Sequence, residues 1–162
     1  MDWVKEKERF ASILLLMAQE KEKELKALTK EAQERANEAE GAMQSRYDTF
    51  KEEGQYLAGG LKLRYDEARS DVATIKALLE AKEFEKTDAV RLYSVVIVEF
   101  DDGEESRFFV FPVMGGQKIE ETHMVISPHS PVGKALIGKE EGDSFEFTTN
   151  NRIRRGEVTF VI

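Results

Sequence analysis

The chain contains no cysteine, which excludes disulfides and every thiolate metal site and is compatible with a reducing compartment. Its two histidines, His123 and His129, have no partner His or Cys at ligand spacing, so a zinc site lacks a donor set. There is no P-loop, no glycine-rich phosphate fingerprint and no nucleophile motif. An excess of positive charge is also missing. The net charge is −8, divided as −3 over residues 1–86 (16 basic, 19 acidic) and −5 over residues 87–162 (8 basic, 13 acidic). Neither half is a basic module able to grip nucleic acid phosphates. Long apolar runs are absent as well. The strongest, Phe10 to Ala18, is too short to span a bilayer. It follows the mixed-charge segment Asp2 to Arg9 and leads into Lys-Glu repeats, so it reads as a buried helix face rather than a secretory leader.

What remains is a chain of 162 residues, 35% charged and 41% hydrophobic, enough for one domain or two small ones. Apolar or small residues recur at Phe10, Leu14, Met17, Leu25, Leu28, Ala32, Ala36, Ala39 and Met43, with Lys21 the one polar member. A second series runs Phe50, Gly54, Leu57, Leu61, Tyr65, Ala68, Val72, Ile75 and Leu79. Both have the period of a straight α-helix. Between them lies the segment 38–48 with Gly41, the first glycine of the chain. Two equal helices around a central break predict an antiparallel hairpin, and forty residues per arm would reach roughly 60 Å. The stripe is bulky near the start (Trp3, Phe10, Ile13, Leu14, Met17) and thins toward the break. A thick base suits packing against a second domain and a thin shaft suits entering something narrow; a plain coiled coil rich in alanine has the same pattern.

From Val90 the period changes to two. Arg91 to Phe100 and Ser106 to Val113 flank an Asp101-Asp102-Gly103 turn, a hairpin signal. Met124–Ile126, Ser144–Phe147 and Glu157–Ile162 complete an expected antiparallel sheet of about five strands with one short helix. The domain boundary is placed at Asp88, giving domains 1–87 and 88–162. The cluster Arg152, Arg154 and Arg155 reads as a solvated turn, with a contact to phosphate or an acidic partner as the alternative.

The segment from Ile126 to Asp143, ISPHSPVGKALIGKEEGD, carries the short helix: Ser130 as N-cap, Pro131 at the first helical position, Gly138 as its stop. As a whole it resembles the signature of the C-terminal domain of bacterial Gre transcript-cleavage factors, S-P-(aliphatic)-x-x-A-L-(aliphatic)-G-x-x-x-G-D. Gre factors also place a helical hairpin before a small β domain. The resemblance implies an α+β protein, a long antiparallel coiled-coil hairpin followed by a β domain folded like the FK506-binding prolyl isomerases. The run from Arg46 to Ala58 resembles a divergent Gre-like pattern, K-Y-D-T-(x)3-E-x-x-Y-L-A, with Arg46 in place of the Lys.

In that family an Asp and a Glu of the hairpin tip, in the pattern D-L-x-E-N-A-E-Y, help hold the second catalytic Mg²⁺ of RNA polymerase. Aligned on Tyr47, this chain has Glu40 at the Asp position and Met43 at the Glu position. Glu40 still offers a carboxylate, whereas a thioether does not suit Mg²⁺. Asp48 is the other carboxylate that a shifted tip would present. The resemblance therefore implies Glu40 and Asp48 as tip acids, Glu40 as a ligand to an Mg²⁺ shared with the polymerase, and no cofactor bound by the chain alone. It implies docking on the polymerase through the loop before the short helix, where Ser130 and Pro131 match and His129 replaces the usual acid. The expectation is a monomeric, cytoplasmic, non-enzymatic regulator that binds RNA polymerase, with no sequence-specific nucleic acid contact and no membrane. It occupies the secondary channel and modulates or inhibits transcription. The alternatives are a Mg²⁺-dependent cofactor of transcript cleavage and a polymerase-independent binding module or prolyl isomerase.

Overall fold

The computed structural model describes residues 2–38 and 47–162. Glu40, Gly41 and Met43 lie outside the described residues, and Asp48 enters only through its backbone in the first turn of the second helix. No described helix is long and apolar enough to cross a membrane. The elements are α1 (Trp3–Glu38), α2 (Tyr47–Ala81), β1 (Val95–Phe100), β2 (Glu105–Val110), β3 (Lys118–Ile119), β4 (His123–Ile126), α3 (Pro131–Leu136), β5 (Ser144–Thr149) and β6 (Arg152–Val161). They divide into two compact units, one of Leu15–Lys76 and one of Met1–Leu14 with Ala77–Ile162.

The first unit holds the shafts of α1 and α2. They run antiparallel. Ala36 meets Gly54, while farther down the shaft Lys21 lies within electrostatic reach of Asp71. Lys21, the polar member of the apolar series, thus has a reason: burial pushes the Asp71 carboxyl up, and the lysine pulls it back. Leu25, Ala36, Ala58, Ala68, Val72 and Ile75 are buried. Leu28 and Leu57, expected in the stripe, are instead exposed by 41% and 62%. With Ala32, Ala36, Gly54 and Ala58 between the helices there is little width, so the larger leucines are displaced to the edges of a shallow notch. The outer surface carries the pairs Glu31–Arg35 at 2.6 Å and Lys30–Glu34 at 3.9 Å, spaced i,i+4; such pairs add a few tenths of a kcal/mol each, about 0.2–0.5.

Three glycines interrupt α2, each costing about 1 kcal/mol relative to alanine in a helix. None is required by packing within the hairpin. A Cβ on Gly54 would sit 3.7 Å from the Ala36 Cβ, an ordinary contact, and one on Gly59 or Gly60 would meet nothing within 4 Å.

The second unit is a six-stranded sheet in the order β3-β4-β2-β1-β6-β5. It departs from the expected five-stranded antiparallel sheet in two ways. Lys118–Ile119 forms an additional short strand, and β4 runs parallel to β2, pairing Phe108 with Met124 and Val110 with Ile126. The chain from Val110 to His123 crosses back before β4, so no tight hairpin fixes their sense. The β1–β2 and β5–β6 hairpins lie where the turn residues point. Asn150 and Asn151 both take positive φ, 48° and 60°, as a two-residue hairpin turn requires.

Both faces of the sheet are covered. On one face Val96, Val98, Phe108, Val110, Ile126 and Val158 pack with Leu136 of α3 and Phe145. On the other, the start of α1 supplies the bulky residues of the sequence stripe: Phe10 lies edge-on to Phe109 with centroids 5.6 Å apart, and Trp3 lies 5.2 Å from Phe160. The alternation along β2 sends Phe108 and Val110 to one core and Phe109 to the other. Lys7 is also buried here, its Nζ donating to the Glu85 carbonyl at 2.6 Å. Burial and the nearby Arg91 push its pKa down to about 8.

Candidate docking surface beside the Ser-Pro loop

The loop before α3 is built from its own hydrogen bonds. The Ser130 backbone is extended (φ −68°, ψ 158°), and its Oγ accepts from the Gly133 N–H at 3.1 Å while donating to the Ser127 carbonyl at 2.7 Å. The Ser127 Oγ accepts from the His129 N–H at 3.2 Å. The bond from Gly133 is the N-cap bond, satisfying a donor that the first helical turn leaves open, and the other two hold the loop itself. Pro131 occupies the first helical position, where it forfeits no bond. The loop folds so tightly against the helix that a Cβ on Gly133 would lie 2.0 Å from the Ser127 carbonyl oxygen. At the other end Gly138 takes φ 80° and its N–H reaches the Val90 carbonyl at 2.7 Å; Val90 in turn donates to Lys139 at 2.8 Å. This tie lays the segment before β1 alongside α3.

Between the two runs a groove of about 860 Å³. Its apolar part is Leu92, Tyr93, Pro128 and Ile137; its polar rim is Glu83, Glu85, Arg91, His129 and Lys134. Leu92 and Ile137 remain 40% and 42% exposed, so apolar surface is presented to solvent. Tyr93 is held at φ 68° in a turn that Ser94 closes, its Oγ accepting from Arg91 N–H at 3.0 Å. The ring is braced edge-on by Phe84 at 5.3 Å and Phe111 at 6.0 Å. Burial, helped by Glu83, raises its phenol pKa, so it stays a neutral hydrogen-bonding group at physiological pH. Arg91 pairs with Glu85 at 3.3 Å. The site is an apolar trough with mixed charge on its rim, suited to taking a protein segment.

Of the docking residues expected from sequence, His129 lines the groove. The Ser130 hydroxyl is consumed within the loop and so shapes it, and Pro131 is exposed on the helix start. Leu92, Tyr93 and Lys134 were not expected there. Leu92 and Tyr93 read as the beginning of a strand, and only the bonds of Val90 to Gly138 and Lys139 bring them to α3. His123 lies on the other face of the sheet, 4.7 Å from the Phe10 ring. Burial foremost, then Arg107, lowers its pKa, against the opposing pull of Glu6 and Glu120. The arginine cluster is largely paired. Arg154 reaches Glu104 at 2.8 Å and lies 3.7 Å over the Phe100 ring, and Arg155 reaches Glu146 at 2.5 Å. Among the described residues no group of three or more His, Asp or Glu is placed to hold a metal.

Several curated proteins called transcription elongation factor GreA match most of this chain. That of Rhodospirillum rubrum is 32% identical over 116 residues, 71% of this chain and 68% of its own. That of Rickettsia canadensis is 30% identical over 132 residues, 81% and 74% respectively. The chain belongs to the GreA/GreB family of transcription elongation factors. A match with GreA of Sulfurovum sp. is 34% identical over 103 residues but spans only 62% of that protein. The family model described as transcription elongation factor, GreA/GreB, C-term matches residues 85–161. Every groove residue except Glu83 falls within that stretch of this GreA/GreB-family chain. Among solved structures, GreA factor homolog 1 (Gfh1) of Thermus thermophilus is 20% identical, with 91% of this chain and 94% of that chain covered at a TM-score of 0.40.

Proposed function

We propose that this elongation factor binds RNA polymerase through the groove beside the Ser-Pro loop, brings its hairpin tip to the secondary channel, and modulates transcription there by occupancy. The observation that supports docking is the groove itself: exposed Leu92 and Ile137 over a braced Tyr93, on the domain that carries the family signature. The chain's net charge of −8 favours holding a protein over holding nucleic acid. His129 in place of an acid removes one ion pair to a basic partner residue, a loss of about 1 kcal/mol or less at an exposed rim.

Occupancy rather than cleavage is favoured by the donor set of the tip. Mg²⁺ requires oxygen ligands, and the pair that would supply them in Gre factors is here Glu40 and Met43. One carboxylate and one thioether do not fit the ion. The cleavage-cofactor reading keeps Glu40 as its support, with Asp48 as the second acid. Both readings are tested by presenting backtracked elongation complexes to the protein while following binding by pull-down. Binding without RNA shortening is the expected result. Shortening that disappears in Glu40→Ala would replace occupancy by cleavage. Absence of binding, with turnover on a proline peptide, would move the function to a polymerase-independent isomerase.

A further inference from the structure

The outward face of α2 is not a plain solvated surface. Tyr56, Gly59, Gly60 and Leu63 follow the spacing i, i+3, i+4, i+7 and so share one stripe. It lies opposite the buried Ala58, Ala68 and Val72. Tyr56 is 83% exposed and Leu63 67%. The two glycines weaken the helix, and packing does not account for them, since a Cβ at either would meet nothing within 4 Å. An aromatic and a leucine bracketing a bare stretch of helix backbone form a surface that another protein can approach closely.

Charge identifies the kind of partner. Glu52 and Glu53 stand at one end of the stripe, Asp66 and Glu67 at the other, and none of them makes a salt bridge among the described residues. Lys62 and Arg64 lie about 90–110° round the helix, on its flanks, at 100° per residue. A second copy of the chain is a poor occupant, because parallel and antiparallel pairing of two such stripes both set carboxylates against carboxylates. Nucleic acid is repelled at both ends. We infer that this face is a second docking surface, for a protein ridge that is apolar at its centre and carries Lys or Arg groups roughly 20 Å apart, the span of fourteen helical residues. Resting on the function proposed above, the ridge belongs to the RNA polymerase complex.

The test uses the full chain with core polymerase. Gly59→Gln/Gly60→Gln places two helix-favouring side chains on the bare stretch, so the hairpin should melt no lower than before. Its affinity for polymerase should nevertheless fall at least tenfold. Glu52→Gln/Glu53→Gln should flatten the salt dependence of binding. A photocrosslinking residue at Tyr56 should label a polymerase subunit at a basic, apolar segment. Unchanged affinity of the glycine variant, or crosslinking to RNA or to a second copy, overturns this inference and leaves groove docking intact. Failure of the unaltered chain to bind polymerase overturns both.

Discussion

The two units solve the problem of burial in opposite ways. The sheet unit covers both faces with large side chains, and Phe10, Phe109, Phe111, Leu136 and Val98 are all at or below 1% exposed. The hairpin unit buries Leu25, Val72 and Ile75, but around Ala36 and Ala58 it closes on small residues and leaves Tyr56, Leu57 and Leu63 outside. Burying a large apolar side chain stabilises by about 1.5–3 kcal/mol, and an alanine methyl by far less. The sheet unit is therefore the anchor of the fold. In the hairpin unit Leu28, Tyr56, Leu57 and Leu63 are left exposed. The same substitution should then have different consequences in the two units, and that contrast can be measured.

The sharpest break would be Phe10→Ala. The ring lies between Phe109 and His123 in a closed space, so truncation leaves a cavity and should cost about 3–5 kcal/mol of the sheet unit's stability. Chemical denaturation followed by hydrogen exchange would locate the loss in β2 and β4. Equal loss of protection along α2 between Ala58 and Ala68 would show that the contrast between units is false. Next in size is Gly133→Ala. With the Ser127 carbonyl 2.0 Å from the new Cβ, the loop must open, at about 1–3 kcal/mol. The Ser130 cap should go with it, so binding to polymerase weakens more than the lost stability alone accounts for.

Much of this was legible beforehand and some could not be. Helices, caps and hairpin turns come from local chemistry: Ser130 caps α3, Pro131 opens it and Gly138 follows its end, as their residue types predict. The bulky base of the first stripe, Trp3 and Phe10, does meet the β unit's aromatics. The parallel β2–β4 pair was not legible, because the direction of a crossover is set by packing and not by the residues of either strand. The groove was read only in part. His129 follows from the motif, but Leu92 and Tyr93 reach it through the backbone bonds of Val90, which no side-chain pattern encodes.

Lys7 offers a gentler test, by pH. Its folded pKa of about 8 lies below that of an unfolded lysine, about 10.4. Between those values the unfolded chain binds more protons than the folded one, so stability rises with pH across this window. The gain should be about 3 kcal/mol, complete only above the unfolded pKa of about 10.4. Lys7→Met should flatten the rise in urea midpoints measured from pH 7 to 10. A rise that persists in the variant would assign it to another group.

The smallest effect carries the comparison to the hairpin. Gly54→Ala adds the same methyl as Gly133→Ala, but here it meets the Ala36 Cβ at 3.7 Å, within ordinary contact. Nothing must move, and alanine loses less backbone entropy than glycine on entering a helix. The hairpin should gain about 0.5–1 kcal/mol, seen as a higher melting temperature of the α2 helical signal. One substitution would thus loosen the sheet unit and tighten the hairpin. If Gly54→Ala destabilises instead, the helices approach more closely at Ala36 than 3.7 Å, and the glycine is needed for contact after all. That outcome would set Gly54 apart from Gly59 and Gly60, which face open space and would still require a partner to account for them.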